Sequence, residues 1–160
     1  MIKITPFDLA QRFVGMKGVK GLVESPQILA LSTRDAQWPM HDEVPWCSSF
    51  VNYICWLLRL PRSKSLMARS WLQVGEPLHH YTDAKVGFDV VILNRQIGGK
   101  SPPGQDITDA PGHVGFYAGR NAEYVYLLGG NHGDVVNVSR YHLNRILRIH
   151  RLWTCNICVE

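Results

Sequence analysis

The chain has 160 residues, of which 46% are hydrophobic and 19% charged, which is enough material for the core of one ordinary globular domain. The formal charge of +4 suits an anionic partner, but the basic residues are scattered, so we expect no nucleic-acid binding. No run of about 18 apolar residues occurs, and we therefore expect no membrane insertion.

Four helices are predicted in the first half of the chain. The first, TPFDLAQRFVG, has Thr5 as its N-cap. SPQILALSTR predicts the second, and the third begins at Cys47. SKSLMARSWLQVG predicts the fourth, with Met67 and Trp71 among the residues that face inward.

The third helix begins where the chain changes from an extended to a helical pattern. Pro45 restrains its own φ and disfavours the helical conformation at Val44. Beyond it, apolar residues recur three and four positions apart, which indicates a helix with one buried face. Cys47 therefore lies in the first turn, where free N–H groups and the helix dipole favour a thiolate. A small core cysteine is the alternative for this residue taken alone.

After Gly87, short β-branched and aromatic runs predict five strands. They lie at 88–93, 113–119, 124–130, 134–141 and 145–152. Helices followed by strands indicate an α+β domain, with an antiparallel sheet packed on the helical half. The intervening loop, 94–112, is long enough to suggest a functional or mobile segment.

The stretch APGHVGFYAG places a histidine at the start of a buried strand. Alternation puts His113, Gly115 and Tyr117 on one face of that strand, and Val114 on the other. An imidazole in this position can accept a proton from a thiol. A hydrogen-bonded structural histidine is the alternative.

The stretch LLGGNHGDVV delivers three polar residues at the end of the next strand. An antiparallel return brings Asn131 beside His113, where its side chain can orient the imidazole. Asp134 is the rival for that role, and His132 is expected to face the other way if the strand continues that far. A plain hairpin turn is the alternative for the whole stretch.

The N-terminal stretch MIKITPFDLAQRF has no apolar run and no small-residue cleavage site, so we expect no secretory signal and reduced cysteines. There are four: Cys47, Cys55, Cys155 and Cys158. Cys55 lies in a Trp- and Leu-rich stretch and is expected to be a core residue. Cys155 and Cys158 have the spacing of a zinc or redox pair. Two further ligands at a familiar spacing are missing, and we expect no metal there.

Five motifs, taken in order, resemble the NlpC/P60 and CHAP cysteine-peptidase superfamily, and within it the small phage and prophage peptidoglycan hydrolases. The motifs are PWCSSFV, SWLQVG, DVVIL, GHVGFY and LGGNHGDVV. The resemblance covers residues 5–153 and implies one catalytic domain over 1–160. It also implies a papain-like NlpC/P60 (CHAP-like) fold, in which N-terminal helices pack on a C-terminal antiparallel sheet of about five strands. His132 departs from the family pattern, which usually has Gln there.

The resemblance also implies roles for individual residues. Cys47 is the nucleophile, His113 the base and Asn131 the orienter, while the N–H groups of Cys47 and Ser48 hold the oxyanion. Further residues are expected in the substrate cleft: Trp46, His132 and Asp134. The mechanism requires no metal and no cofactor.

The implied function is hydrolysis of an amide bond in bacterial peptidoglycan, either within the stem peptide or between peptide and glycan. We expect a monomeric phage endolysin or injected effector, made in the bacterial host cytoplasm. It would act in the periplasm or cell wall after delivery by a holin or a secretion machine. Two alternatives stay open. One is a cysteine amidase or acyltransferase that acts on a small non-wall amide. The other is a non-catalytic phage structural or wall-binding module.

Overall fold

The structure, a computed structural model, describes residues 4–18, 26–32, 46–95 and 107–153. Within these ranges the chain forms three α-helices, three short 3-10 helices and six strands. Cys155, Cys158 and the central part of the predicted 94–112 loop lie outside the described residues.

The helices precede most of the sheet, as the sequence pattern predicts. The α-helices are α1 (Pro6–Gln11), α2 (Pro26–Ser32) and α3 (Cys47–Leu57). The strands are β1 (Glu76–Pro77), β2 (Asp89–Asn94), β3 (Gly112–Arg120), β4 (Tyr124–Gly129), β5 (Asn137–His142) and β6 (Ile146–Arg151). The 3-10 helices are Ala68–Gln73, Tyr81–Asp83 and Leu143–Arg145. The sheet order is β1-β6-β2-β3-β4-β5, and every pair is antiparallel. The predicted α+β class is confirmed, with the two-residue β1 as an additional edge strand.

Local signals explain how α1 begins. The Thr5 hydroxyl accepts the Asp8 N–H at 3.1 Å, and the Asp8 carboxylate accepts the Thr5 N–H at 3.0 Å. This reciprocal capping box satisfies two N–H groups that the first turn leaves free. The N-cap predicted at Thr5 is therefore confirmed.

The predicted fourth helix is only a 3-10 helix, Ala68–Gln73. Trp71 is fully buried, as expected, and its indole N–H donates to the Ser48 hydroxyl at 3.0 Å. Met67, which was expected to face inward, is 42% exposed. The apolar residues of this segment therefore do not form the continuous stripe that an α-helix would bury.

The sheet is buried on both faces, and β3 contributes to each. Val114 and Phe116 pack in the cluster that contains the buried face of α3. Tyr117 belongs to a second cluster on the other face, together with Val91 and Leu127. The alternation predicted for β3 is confirmed. The start of β3 lies near the start of α3, since Gly112 and His113 line one cavity with Cys47, and the candidate site forms there.

Candidate active site

Cys47 is the first residue of α3, as the spacing of apolar residues predicts, and only 3% of it is exposed. The N-cap residue, Trp46, makes no side-chain capping bond, so the N–H groups of this turn stay available. The backbone N–H groups of Cys47 and Ser48, and that of Val114 in β3, lie near the sulfur and lower the pKa of the thiol. Backbone donors from two elements therefore lie near one sulfur atom.

A buried polar network fixes the first turn of α3. The Ser48 hydroxyl donates to the Ser65 carbonyl at 2.6 Å. The Asn52 amide donates to the carbonyls of Ser48 and Ser65 at 3.1 and 3.0 Å. Its side-chain oxygen accepts the Lys64 N–H at 3.0 Å. Because the side chains of Ser48 and Asn52 are buried and these groups satisfy one another, they hold the thiol-bearing turn in a single position.

The elements bring the predicted residues to one cavity of about 160 Å³. Cys47 enters from α3, His113 from the start of β3, and Asn131 from the turn after β4. The cavity has four further lining residues: Arg95, Gly112, Tyr141 and Arg145. The sequence had therefore singled out three of the seven lining residues.

A second histidine contacts the first. Nε2 of His132 is hydrogen-bonded to Nε2 of His113. On its other side, Nδ1 of His132 lies 3.1 Å from the Asn137 backbone oxygen and 3.0 Å from its side-chain oxygen. The Ser139 hydroxyl donates to that same side-chain oxygen at 2.8 Å. Both imidazoles are thus held by a chain of contacts that ends in the edge strand β5.

These partners assign the proton positions. The Asn137 backbone oxygen can only accept, so Nδ1 of His132 carries a hydrogen and its Nε2 carries a lone pair. That lone pair requires His113 to donate from Nε2, which leaves Nδ1 of His113 as the unprotonated nitrogen. His113 is therefore held in the tautomer that can accept a proton through Nδ1.

The orienting contact observed is that of His132, whereas the sequence analysis expected it from Asn131. Strand β4 ends at Gly129, and Asn131 has a φ of +60°, so the strand alternation stops before these residues. His132 consequently does not face away from His113. None of the described hydrogen bonds joins Asn131 to His113, although Asn131 lines the cavity.

Trp46 and Asp134 were expected in the cleft. Instead, they contact each other beside the turn that follows β4. Trp46 is 1% exposed, and its indole N–H donates to the Asp134 carboxylate at 3.4 Å. A Cβ on Gly130 would collide with the Trp46 ring, which explains why glycine stands there. Neither Trp46 nor Asp134 lines the cavity that contains Cys47.

Two solved structures from Trichomonas vaginalis are similar to this chain. NlpC1 matches with a TM-score of 0.53 and 17% identity, over 93% of this chain and 43% of its own. NlpC2 matches with a TM-score of 0.54 and 16% identity, over 96% of this chain and 50% of its own. The chain has an NlpC-type fold. It spans half or less of the length of these two proteins, and no protein-family model and no curated protein matches it significantly.

The NlpC-type fold buries the thiol and the imidazole deeply enough to change their protonation. Burial raises the pKa of Cys47, and the N–H groups of Val114, Ser48 and Cys47 only partly oppose it. Burial also lowers the pKa of His113 well below its ordinary value of 6.5, and electrostatic interactions with His132, Arg145 and Arg95 lower it further. The resting pair is therefore a neutral thiol and a neutral imidazole. The expectation that the helix start holds a resting thiolate is corrected, because desolvation outweighs the nearby donors.

Three of the residues that line the cavity were not predicted from the sequence. Tyr141 packs beside both imidazoles, with its ring centroid 5.4 Å from that of His113 and 5.7 Å from that of His132. Burial raises the pKa of Tyr141 to about 12, so it remains a neutral phenol at neutral pH. Arg95 and Arg145 stand at ordinary positions, one after a strand and one in the turn before β6. No local pattern distinguishes them from solvated arginines.

The described residues include neither a cluster of metal ligands nor a helix that could span a membrane. No cluster of three or more His, Cys, Asp or Glu side chains is placed there to hold a metal. None of the helices in the same ranges is long and apolar enough to cross a membrane.

Proposed function

We propose that this chain is a cysteine peptidase or amidase that hydrolyses an amide bond of bacterial peptidoglycan. The observation that carries the proposal is the hydrogen-bonded series from Asn137 through His132 to His113, in the cavity that contains Cys47. It leaves an unprotonated nitrogen on an imidazole that lines the same cavity as the thiol, and nucleophilic catalysis requires such a pair. The five motifs and the NlpC-type fold support peptidoglycan as the substrate.

In the proposed reaction, the Cys47 sulfur attacks the amide carbonyl while its proton passes to Nδ1 of His113. The N–H groups of Cys47 and Ser48 hold the oxyanion that forms, with Val114 N–H as a third donor at the sulfur. Protonated His113 then gives its proton to the leaving amine. Water attacks the resulting thioester, with His113 again as the base, and releases the acid and the free thiol.

His132 has a positioning role in this proposal. It accepts the Nε2 hydrogen of His113 and therefore stabilises the imidazolium that forms after proton transfer. Asn131 lines the cavity without an imidazole contact, and we assign its amide to the substrate. The orienter expected at Asn131 is thus reassigned to the next residue.

We also propose that the protein works as a phage endolysin or an injected effector, as a single catalytic domain. It would be made in the bacterial host cytoplasm and would reach the cell wall through a holin or a secretion machine. The resemblance of the motifs to phage and prophage hydrolases supports this setting. The net charge of +4 is favourable for association with an anionic wall polymer.

The test is digestion of purified peptidoglycan, with mass spectrometry of the new termini. We expect the native protein to release one new amine and one new carboxyl per cut, and the Cys47→Ala protein to release neither. Cys55→Ala is the matched control, because it removes the other described cysteine and leaves the cavity intact. Hydrolysis of small amides with no action on the wall would favour the non-wall amidase. No hydrolysis of either would favour the binding module.

A further inference from the structure

Two guanidinium groups line the same small cavity as Cys47. Arg145 is held in place: its Nε and Nη2 both donate to the Asn94 carbonyl, at 3.3 and 2.9 Å. Its charge also lies 4.9 Å from the centre of the Tyr141 ring. A guanidinium has five N–H donors, so Arg145 keeps its Nη1 donors available after these contacts.

Arg95 is the first residue after β2, and its backbone N–H donates to the Pro111 carbonyl at 3.4 Å. Its guanidinium makes no hydrogen bond to any residue that the structure describes. None of the cavity-lining residues is acidic, and no carboxylate in the described ranges pairs with either arginine. Among the described residues, the cavity therefore carries two positive charges, because the thiol and both imidazoles are neutral at rest.

Such a cavity is unfavourable for the proposed reaction unless an anion enters it. Attack by Cys47 converts His113 to an imidazolium, and Arg95 and Arg145 both oppose a further positive charge at that place. A bound carboxylate would offset the two guanidinium charges and would make proton transfer to His113 easier. Arginine is also the side chain that best matches a carboxylate, since its planar donors can bind both oxygens.

We propose that Arg95 and Arg145 form a binding site for a substrate carboxylate beside Cys47. This inference rests on the proposed function and narrows it. The substrate is an amide whose scissile bond lies within about one residue of a free carboxylate. The short distance is inferred because Cys47 and both arginines line one cavity of about 160 Å³, which is well below the roughly 300–1,000 Å³ of pockets that enclose drug-sized ligands.

The first experiment needs no substrate. Iodoacetate and iodoacetamide alkylate thiols in the same way and differ in charge, so the ratio of their rates at Cys47 reports the local potential. We expect this ratio to be about 10-fold higher in the native protein than at the same cysteine in the urea-unfolded chain. Arg95→Gln should lower the ratio most of the way to its value in the unfolded chain. Arg145→Gln should lower it in the same way, provided that this variant folds without the Asn94 contact.

Arg140→Gln is the matched control. It removes the same charge from β5, one residue from Tyr141, but Arg140 is exposed and lies over the Tyr124 ring, outside the cavity. Its alkylation ratio should equal that of the native protein. A native ratio no higher than that of the unfolded chain, or an equal fall in the Arg95 and Arg140 variants, would overturn the proposal.

The second experiment compares two synthetic peptides that differ only in whether the residue next to the scissile bond ends in a carboxylate or a carboxamide. We expect kcat/KM to favour the carboxylate about 10-fold or more, and Arg95→Gln to reduce that preference. Hydrolysis of both peptides at equal rates would overturn the carboxylate site and leave the proposed function intact. A high alkylation ratio in a protein that hydrolyses nothing would keep the anion site and reject the proposed function.

Discussion

The two described cysteines of α3 lie eight residues apart on one helix and differ in their surroundings. Cys47 in the first turn and Cys55 in the third are both buried, and burial raises the pKa of each. Around Cys47, three backbone N–H groups and an oriented imidazole accompany the sulfur. Around Cys55, only the distant charge of Arg62 opposes the effect of burial. Burial alone therefore does not separate a reactive cysteine from a core cysteine; the partner groups do.

The difference follows from the helix itself. The first turn has N–H groups without intrahelical partners, and it lies against the start of β3, where His113 enters. Cys55 lies in the last turn of α3, where its backbone carbonyl accepts the Leu60 N–H and its neighbours are apolar. The same residue type thus has a chemical role at one end of α3 and a packing role two turns later.

The largest effect is expected from the comparison of two single variants, in each of which one cysteine is replaced by alanine. Cys47→Ala removes the nucleophile, and wall hydrolysis should fall by at least about 1,000-fold while the fold persists. Cys55→Ala should keep turnover within about twofold and lower the free energy of unfolding by about 1 kcal/mol, because it leaves a small cavity. Hydrolysis rates and urea unfolding of both variants measure this contrast. Comparable hydrolysis by the two variants would remove the distinction between the cysteines.

His113→Ala should be nearly as damaging as Cys47→Ala, since no other residue that lines the cavity can act as a base at neutral pH. Turnover should again fall by roughly 1,000-fold, and the double variant should be no worse than either single one, because the two groups act as a unit. Single-turnover kinetics on wall fragments measures this. A loss of only a few-fold would mean that some other group accepts the thiol proton.

A smaller effect is expected at the orienting residue. His132→Ala should reduce turnover about 10- to 1,000-fold, since His113 keeps its position only partly without its Nε2 partner. His132→Gln supplies an acceptor oxygen and should recover part of the loss. Asn131→Ala should cost less than His132→Ala, and Asp134→Ala should act through stability, because Asp134 contacts Trp46. The opposite ranking, with Asn131→Ala the more damaging, would return the orienting role to Asn131.

Local signals were sufficient for much of the fold. The cap at Thr5, the start of α3 at Cys47 and the two faces of β3 each follow from contacts within a few residues or from a strict period. Local signals also place Cys47 and His113 each at the start of an element, but their pairing was implied by the resemblance to the NlpC/P60 and CHAP superfamily. These features depend little on the rest of the chain.

The remaining features depend on tertiary contacts that no local pattern encodes. The contact of His132 with His113 follows from the left-handed conformation of Asn131, which a run of strand-like residues does not reveal. Arg95 and Arg145 are fifty positions apart and meet only because β2 lies between β3 and β6 in the sheet. The protonation of Cys47 follows from burial, whereas the helix start alone suggested the reverse.

The smallest expected effect is a shift of the pH profile. An unperturbed histidine base would give a rise in activity near pH 6.5. Burial lowers the pKa of His113 well below that value, and His132, Arg145 and Arg95 lower it further. The reaction requires neutral His113, so kcat/KM should be level above about pH 6.5 and should fall as the pH drops through the lowered pKa. Arg95→Gln removes one of the opposing charges, so the pKa of His113 should rise and the acid limb should move to higher pH.

Alkylation of Cys55 is the comparison in the same pH series. Its rate should depend on unfolding of the protein and should not fall with the titration of His113. The pKa of His150 is also lowered by burial. The unfolded chain takes up these protons near pH 6.5 and the folded one does not, so the fold loses stability as the pH falls below that value. Tryptophan fluorescence at each pH separates unfolding from the titration of His113. An acid limb that lies at the same pH in the native protein and in Arg95→Gln, with both still folded, would mean that the titrating group is not His113.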